Sequence, residues 1–345
     1  MSLLKEIQKD YKAVSIVGMA KNSGKTTTLN YLIEEAYDEG LALGITSTGR
    51  DGETKDIVTG TDKPKVYLYE ETLVSVPVKL YDRSEGGLEI LRMTEYRTAL
   101  GEILICKVKE AGYVQIAGPS TRKEQGELTL EMLKLGADMV LIDGAVDRKA
   151  IASPKSSDGV ILATGAVISR SMKKVVEETA HVVRLYSLPE VEDKTVRELL
   201  EDEGEERTRM VEERDGSLKV REIPSPSGFI SSKDLDWEIT DITRYVYIKG
   251  AFTYSVIRDI NPKKFKSICF VLKDPTKIFI DSMTWNQLIK KGLKVKVLDN
   301  IKVLAVTLNP TAPQGYSFDS HELLSFMKKA LPDIRMRNVR SGEDV

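Results

Sequence analysis

The residues best suited to chemistry form a glycine-bearing loop near the N-terminus, Gly18-Met-Ala-Lys-Asn-Ser-Gly24-Lys25-Thr26-Thr27. The loop follows an apolar run at 13–17 and opens a helical pattern over 26–38, the context expected of a phosphate-binding Walker A loop. Backbone N–H groups of such a turn, together with the positive end of the helix, attract phosphate oxygens. Gly24 would permit close backbone approach, and the Thr26 hydroxyl would coordinate Mg²⁺. Lys25 would contact the β- and γ-phosphates and is a predicted catalytic residue. The predicted nucleotide-contacting residues in this loop are Gly18, Lys21, Asn22, Ser23, Gly24, Lys25, Thr26 and Thr27.

The loop departs from the usual spacing, G-x-x-x-x-G-K-[ST], at one position. Met19 stands where the first glycine is expected, and Gly18 lies one residue earlier, so five residues separate the two glycines. The alternative interpretation is a helix N-terminal loop that binds no ligand. A Gly-Lys-Thr-Thr run directly after a strand favours phosphate binding.

Asp143 is the predicted acidic partner of this loop. It follows the compact apolar run MVLI at 139–142, which is typical of a buried parallel strand. Phosphoryl transfer needs a carboxylate for Mg²⁺ and the attacking water. We therefore predict that Asp143 is a metal ligand with a catalytic role, and that it lies beside the phosphate loop if its strand neighbours the first strand.

A polar segment, 44–53, leaves the second predicted strand at its carboxyl end, the edge where open α/β sheets bind ligands. Asp51 is a predicted Mg²⁺ ligand, and Arg50 is a predicted catalytic residue that stabilises charge on the transferred phosphoryl group. Thr48 and Glu53 are further candidates for the γ-phosphate. The alternative is an ordinary polar turn. Two more loops expected at this edge offer substrate or partner contacts from Ser120, Thr121, Asp147, Arg148 and Lys149.

The segment Ala163-Thr164-Gly165-Ala166 follows another predicted strand and is a candidate cradle for the nucleotide base, with Thr164 as a contact. The chain has no NKxD motif, so guanine specificity lacks support. ATP and Mg²⁺ are the expected cofactors.

Composition limits the remaining classes of function. The 345 residues include 51 basic and 53 acidic side chains, and the formal net charge of −2 gives no overall basic excess for nucleic acid. Two cysteines and two histidines argue against a disulfide framework and a zinc site. The polar N-terminus and the lack of an 18-residue apolar run predict a cytoplasmic protein without a signal peptide or membrane span.

Alternating strand and helix patterns predict an α/β fold with a mostly parallel sheet flanked by helices. We expect a nucleotide-binding domain at 1–190, a charged linker or insert at 191–225 and a smaller C-terminal α/β domain at 226–345. Within these segments, 94–104 is predicted to be a helix running into a strand. The charged run at 190–221 is predicted to be a solvated helix and turn.

Several P-loop families resemble this chain. The five-residue gap resembles the loops of dethiobiotin synthetase and the cobyrinic acid amidases, and the core KNSGKTT resembles the MobB family. These families share the class that includes MinD and the signal-recognition GTPases. The MinD-type signature lysine would fall at Ala20 and is absent, with Lys21 one position away. Over most of the chain the sequence resembles the KamB family, through AKNSGKTTTLN, TSTGRDGE, DGAVDRKAIASP and the Asn309-Pro310-Thr-Ala-Pro313 segment.

The KamB resemblance implies a subunit of a reactivating factor for lysine 5,6-aminomutase, an enzyme that depends on B12 and pyridoxal phosphate. It implies a second, MutS-like ATPase subunit and ATP-driven exchange of damaged cobalamin. One alternative is an ATP-dependent small-molecule ligase or kinase like dethiobiotin synthetase. That family places a catalytic lysine after the second strand, where this chain has Thr48, Gly49 and Arg50. The other alternative is a MobB-like nucleotide-binding adaptor, and homo-oligomerisation is left open.

Overall fold

The computed structural model describes residues 2–48, 65–144, 157–201, 208–223 and 230–339. Its chain divides into two compact units, one formed by Met1–Thr179 with Lys302–Val345 and the other by Ala180–Ile301. Numbered along the chain, the strands are β1 (Ala13–Gly18), β2 (Leu43–Ser47), β3 (Val66–Leu68), β4 (Leu73–Pro77), β5 (Gly87–Thr98), β6 (Gly101–Glu110), β7 (Gly112–Val114), β8 (Met139–Asp143), β9 (Gly159–Gly165), β10 (Thr208–Arg214), β11 (Ser217–Ile223), β12 (Thr243–Ile248), β13 (Phe252–Thr253), β14 (Cys269–Leu272), β15 (Ile278–Phe279), β16 (Val295–Val297), β17 (Val303–Asn309) and β18 (Arg335–Asn338).

The helices lie between these strands. They are α1 (Leu3–Gln8), α2 (Lys25–Asp38), α3 (Val78–Tyr81), α4 (Arg122–Lys134), α5 (Met172–Tyr186), α6 (Lys194–Glu201), α7 (Ser232–Glu238), α8 (Tyr254–Ile257), α9 (Ser282–Lys290) and α10 (Ser320–Ala330). Short 3₁₀ turns occur at Ala166–Ile168, Lys264–Lys266 and Pro275–Lys277.

The first unit is built on a nine-stranded sheet in the order β18-β17-β9-β1-β8-β2-β4-β6-β5. The strands from β18 to β4 pair in parallel, and β6 and β5 extend the sheet by antiparallel pairing. A separate antiparallel pair joins β3 and β7. This confirms the predicted α/β architecture with a large, mostly parallel sheet flanked by helices.

The central strands form because their side chains can be buried on both faces. Every residue of β1 and β9 is buried, as expected for parallel strands covered on both sides. The helix α2 buries the stripe Leu29, Leu32, Ile33 and Ala36 at helical spacing. Gly40, at φ +67°, lies directly after the C-cap of this helix, where a left-handed residue ends many helices.

The second unit contains a five-stranded sheet in the order β11-β10-β12-β14-β16. Here β12, β14 and β16 are parallel, and β10 and β11 form an antiparallel hairpin against them. Its core includes Phe252, Phe265, Phe270 and Trp285. The short strands β13 and β15 pair in parallel and form a separate two-stranded sheet.

The structure corrects two local predictions and divides the chain differently from the sequence. Residues 94–104 lie in the β5–β6 hairpin, so the predicted helix there is wrong. The charged run at 190–221 contains α6 and most of the hairpin β10–β11. Met210 and Val211 are buried there, and the charged residues beside them, Arg209 and Glu212, are buried in ion pairs with Glu222 and Arg221. The expected domains 1–190, 191–225 and 226–345 differ from the observed units because β17 and β18 hydrogen-bond into the first sheet.

Candidate phosphate-binding site

The loop between β1 and α2 is shaped by Gly24, the N-cap of the helix. Gly24 has φ +97°, a left-handed conformation that glycine adopts without steric cost. A Cβ at this position would also meet the Cβ of Asn309 at 2.9 Å. Backbone conformation and close packing therefore both require glycine here.

The first turn of α2 contains Lys25, Thr26 and Thr27, and it has no acidic residue. The N-cap residue Gly24 has no side chain that could cap this end of the helix. The first N–H groups of an α-helix have no partner within the helix, so this turn presents hydrogen-bond donors and a partial positive charge. That arrangement suits an anion.

Asp143 lies beside this helix end, as the sequence predicts. β8 pairs in parallel with β1, with Asp143 opposite Ile16. The Lys25 Nζ lies 2.8 Å from Asp143 Oδ1 in an ion pair that lacks hydrogen-bond geometry, and it donates a hydrogen bond of 2.6 Å to Gly144 O. The two side chains remain 23% and 26% exposed, although Asp143 Oδ1 itself is buried.

The end of β2 is fixed against the same aspartate. Ser47 Oγ and Thr48 Oγ1 donate to the backbone oxygen of Asp143 at 3.2 Å and 3.3 Å, and Thr48 N donates to it at 3.0 Å. Thr48 is therefore at the predicted edge of the sheet. The predicted residues Arg50, Asp51, Glu53, Asp147, Arg148 and Lys149 lie outside the described residues.

Ser23 is a polar residue buried within the loop itself. It is 1% exposed, and its hydroxyl has no hydrogen-bond partner among the residues that the structure describes. A buried hydroxyl without a partner is costly, and an anion in the loop could accept from it. The neighbouring Lys21 and Asn22 are exposed, and Asn22 adopts φ +64°, a conformation that asparagine tolerates better than most residues.

Thr164 was predicted to contact the base, but its side chain is enclosed. It is fully buried, and its hydroxyl shares a hydrogen bond of 2.8 Å with Thr179 Oγ1. Any ligand contact at this point must come from backbone atoms or from neighbours, rather than from the Thr164 side chain.

Asn309 is the residue at this edge to which the sequence assigned no role. It ends β17, next to β9, and a Cβ on Gly165 would meet Asn309 O at 2.0 Å. It therefore packs against both Gly24 and Gly165. The available signal was its position directly after an apolar strand, which places a residue at the carboxyl edge if the strand joins the sheet.

Among the other predicted loop residues, Thr121 has a structural role. Thr121 caps α4: its Oγ1 accepts from Glu124 N at 3.2 Å and is 2.7 Å from Glu124 Oε2. This accounts for Thr121 without a ligand. The adjoining Gly118 approaches β2 so closely that a Cβ would lie 2.3 Å from Ser47 O, which puts the loop beside the end of that strand.

The first turn of α2 carries the Thr26 hydroxyl and the end of β8 carries the Asp143 carboxylate, and both are oxygen donors of the kind that Mg²⁺ prefers. Mg²⁺ commonly keeps several waters and takes only one or two protein oxygens in nucleotide sites, so this donor set fits it. Within the described ranges, no group of three or more His, Cys, Asp or Glu side chains could hold a metal on its own.

No family model, curated protein or solved structure matches this chain. Among the helices that the structure describes, none is long and apolar enough to cross a membrane.

Proposed function

We propose that this chain binds ATP with Mg²⁺ at the carboxyl edge of its first sheet and hydrolyses it. The observation that carries the proposal is the contact between Lys25 and Asp143. It joins the lysine of a glycine-bearing loop to a carboxylate on the adjacent parallel strand. The start of α2, where the N-cap is Gly24, and the unpartnered Ser23 hydroxyl add donors at the same place.

Lys25, Asp143 and Thr26 each have a role in this proposal. Without nucleotide, Asp143 neutralises the Lys25 ammonium. A triphosphate would draw Lys25 towards its β- and γ-oxygens and leave Asp143 to help hold the metal with Thr26. The bound metal would supply charge neutralisation at the phosphates. Arg50 and Asp51 remain proposed for the transferred phosphoryl group and the metal.

The base would lie on the opposite side of the loop from Asp143. In the sheet, β8 with Asp143 and its neighbour β2 lie on one side of β1, and β9 and β17 lie on the other. The nucleotide would therefore extend along the sheet edge from Asp143 towards β9 and β17. Gly165, Asn309 and Tyr316 are there, and Tyr316 Oη donates to Ala166 O at 2.5 Å. ATP is preferred to GTP because the sequence has no NKxD motif.

Titration of the purified chain with ATP and with GTP, each with Mg²⁺, tests this proposal. Saturable binding of ATP, weaker binding of GTP and slow phosphate release are expected. Binding of neither nucleotide would overturn the proposal, and tight GTP binding with no ATP binding would overturn its base preference.

The client of the nucleotide cycle is proposed from the KamB resemblance alone. It is a B12-dependent aminomutase, with a MutS-like ATPase as the second subunit. Phosphate release measured with and without lysine 5,6-aminomutase separates the alternatives. Stimulation by the aminomutase supports reactivation, whereas turnover that depends on a metabolite supports a ligase or kinase. Slow release indifferent to both supports a nucleotide-binding adaptor.

A further inference from the structure

The second unit contains a groove that the nucleotide site does not use. It has a volume of about 830 Å³ and opens at the amino ends of the parallel strands β12, β14 and β16. Small-molecule sites typically have volumes of about 300–1,000 Å³, so the groove can hold a ligand of ordinary metabolite size.

The groove has apolar walls. Ile268, Leu293 and Val295 come from the residues at the starts of β14 and β16, and all three are buried. Leu218 on β11 and Ile289 at the end of α9 line it from other elements, and Ile289 is exposed. Apolar side chains from separate elements therefore converge on one open space, where an apolar ligand body would be removed from water.

Several charged groups that line the groove are already engaged with neighbours. Arg244 Nε is 2.8 Å from Glu213 Oε2, so these two charges compensate each other. Asp193 Oδ1 accepts from the N–H groups of Thr195 and Val196 at 2.9 Å and 3.2 Å, which directs its charge to the start of α6.

Two lysines in the groove are less compensated. Lys294 Nζ donates to the backbone oxygen of Lys266 at 2.6 Å, and this uncharged acceptor does not neutralise the ammonium. Lys296 Nζ is 3.8 Å from Glu192 Oε1, whose side chain is 88% exposed, so water screens that pair. Both lysines act on the Cys269 thiol, which also lines the groove: burial raises its pKa to about 11, and the two positive charges oppose that rise.

We propose that this groove binds a small organic anion with an apolar body. The anionic group would lie near Lys294 and Lys296, and the apolar body would pack against Leu218 and Tyr245, two half-buried groove residues on the same face of the sheet as the lysines. The site would be independent of the nucleotide, since every residue that lines it belongs to the second unit.

The first test uses 8-anilinonaphthalene-1-sulfonate, an anion with an apolar aromatic body, titrated into the full chain by fluorescence. Saturable binding is expected, and the double variant Lys294→Ala/Lys296→Ala should weaken it by about fivefold or more, as removal of two partly exposed charges implies. The neutral probe N-phenyl-1-naphthylamine should bind both proteins alike. Lys263→Ala/Lys273→Ala removes the same charge from exposed lysines that do not line the groove and should leave both affinities unchanged.

The second test locates the probe through the two cysteines. Cys269 lines the groove, whereas Cys106 is fully buried and serves as an internal control. Iodoacetamide should modify Cys269 more slowly when the sulfonate is bound, and modified protein should lose sulfonate binding. Either no saturable binding, or binding that leaves Cys269 modification unchanged, would overturn the proposal. So would equal weakening by the two lysine pairs.

Discussion

At the scale of single residues, Lys25 is held where a triphosphate would replace its present partners. Its ammonium contacts a carboxylate and a backbone oxygen, and both contacts can be exchanged for phosphate oxygens. We expect Lys25→Ala to weaken ATP binding by about 10- to 100-fold, because a hydrogen bond to a charged group contributes about 1.5–3 kcal/mol. Calorimetric titration measures this. Lys9→Ala, at an exposed position after α1, should bind like the parent chain. Unchanged affinity in Lys25→Ala would remove the site assignment.

Asp143 should affect turnover more than binding. Asp143→Asn keeps the shape of the side chain but removes the charge proposed to help hold the metal. Nucleotide affinity should change by a few-fold at most, while phosphate release should fall by about 100-fold, the scale of a lost electrostatic contact in a transition state. Asp10→Asn, at an exposed position in the turn that precedes the amino end of β1, is the matched control. Normal turnover in Asp143→Asn would exclude Asp143 from the metal site.

Gly24 should be less replaceable than other left-handed glycines. Gly136→Ala and Gly40→Ala also place an alanine at positive φ, but nothing lies within 4 Å of the added Cβ, so each should cost about 1–2 kcal/mol of unfolding free energy. Gly24→Ala adds the collision with the Asn309 Cβ and should cost measurably more in urea unfolding. Asn309→Gly removes that Cβ and should restore part of the loss in the double variant. A cost equal to that of Gly136→Ala would show that the contact with Asn309 is unimportant.

At the scale of elements, a buried hydroxyl pair ties α2 to β17. Thr28 and Thr307 are both buried, and their Oγ1 atoms are 2.7 Å apart. Replacing either one by valine leaves the other hydroxyl without this partner, which should cost about 1–3 kcal/mol, whereas replacing both should cost less than the sum. Urea unfolding of the two single variants and the double variant forms a complete cycle. Additive losses would mean that the pair does not couple these elements.

The sequence predicts the strands and the helix that carry the site better than it predicts which elements pack beside them. The β1–loop–α2 unit and the strand carrying Asp143 have local signals, namely apolar runs, helical spacing and the glycine-lysine pair. The position of β17 has no such signal, because its pairing with β9 joins residues more than 130 apart in the chain. The burial of the Thr164 side chain has no local signal for a similar reason, since its partner Thr179 is placed by the packing of α5.

The β10–β11 hairpin shows why a charged run can hide a strand. Arg221 Nε contacts Glu212 Oε1 at 2.7 Å, and Arg221 Nη1 contacts Glu238 Oε2 at 2.6 Å. These charges are satisfied by each other across the hairpin and from α7, while Met210 and Val211 are buried. Composition alone shows only the charges, and the pairing that makes them compatible with a sheet depends on register.

At the scale of the whole molecule, the two units have separate hydrophobic cores. Leu4, Leu29 and Ile161 belong to a cluster confined to the first unit, and Phe270 and Trp285 to one confined to the second. Both tryptophans, Trp237 and Trp285, are in the second unit. Tryptophan fluorescence therefore reports unfolding of the second unit alone, while circular dichroism reports both.

Nucleotide should stabilise the first unit selectively if its site is where we propose. A non-hydrolysable ATP analogue with Mg²⁺ at 100 times its dissociation constant adds about 2.7 kcal/mol to the unfolding free energy of the unit that binds it. The part of the circular dichroism transition that comes from the first unit should then move to higher urea while the tryptophan transition stays in place. Lys25→Ala should abolish the shift. A shift of the tryptophan transition, with no change in the first unit's part of the circular dichroism transition, would place the nucleotide in the second unit. Identical shifts by both probes would mean that the units unfold cooperatively, which their separate cores do not predict.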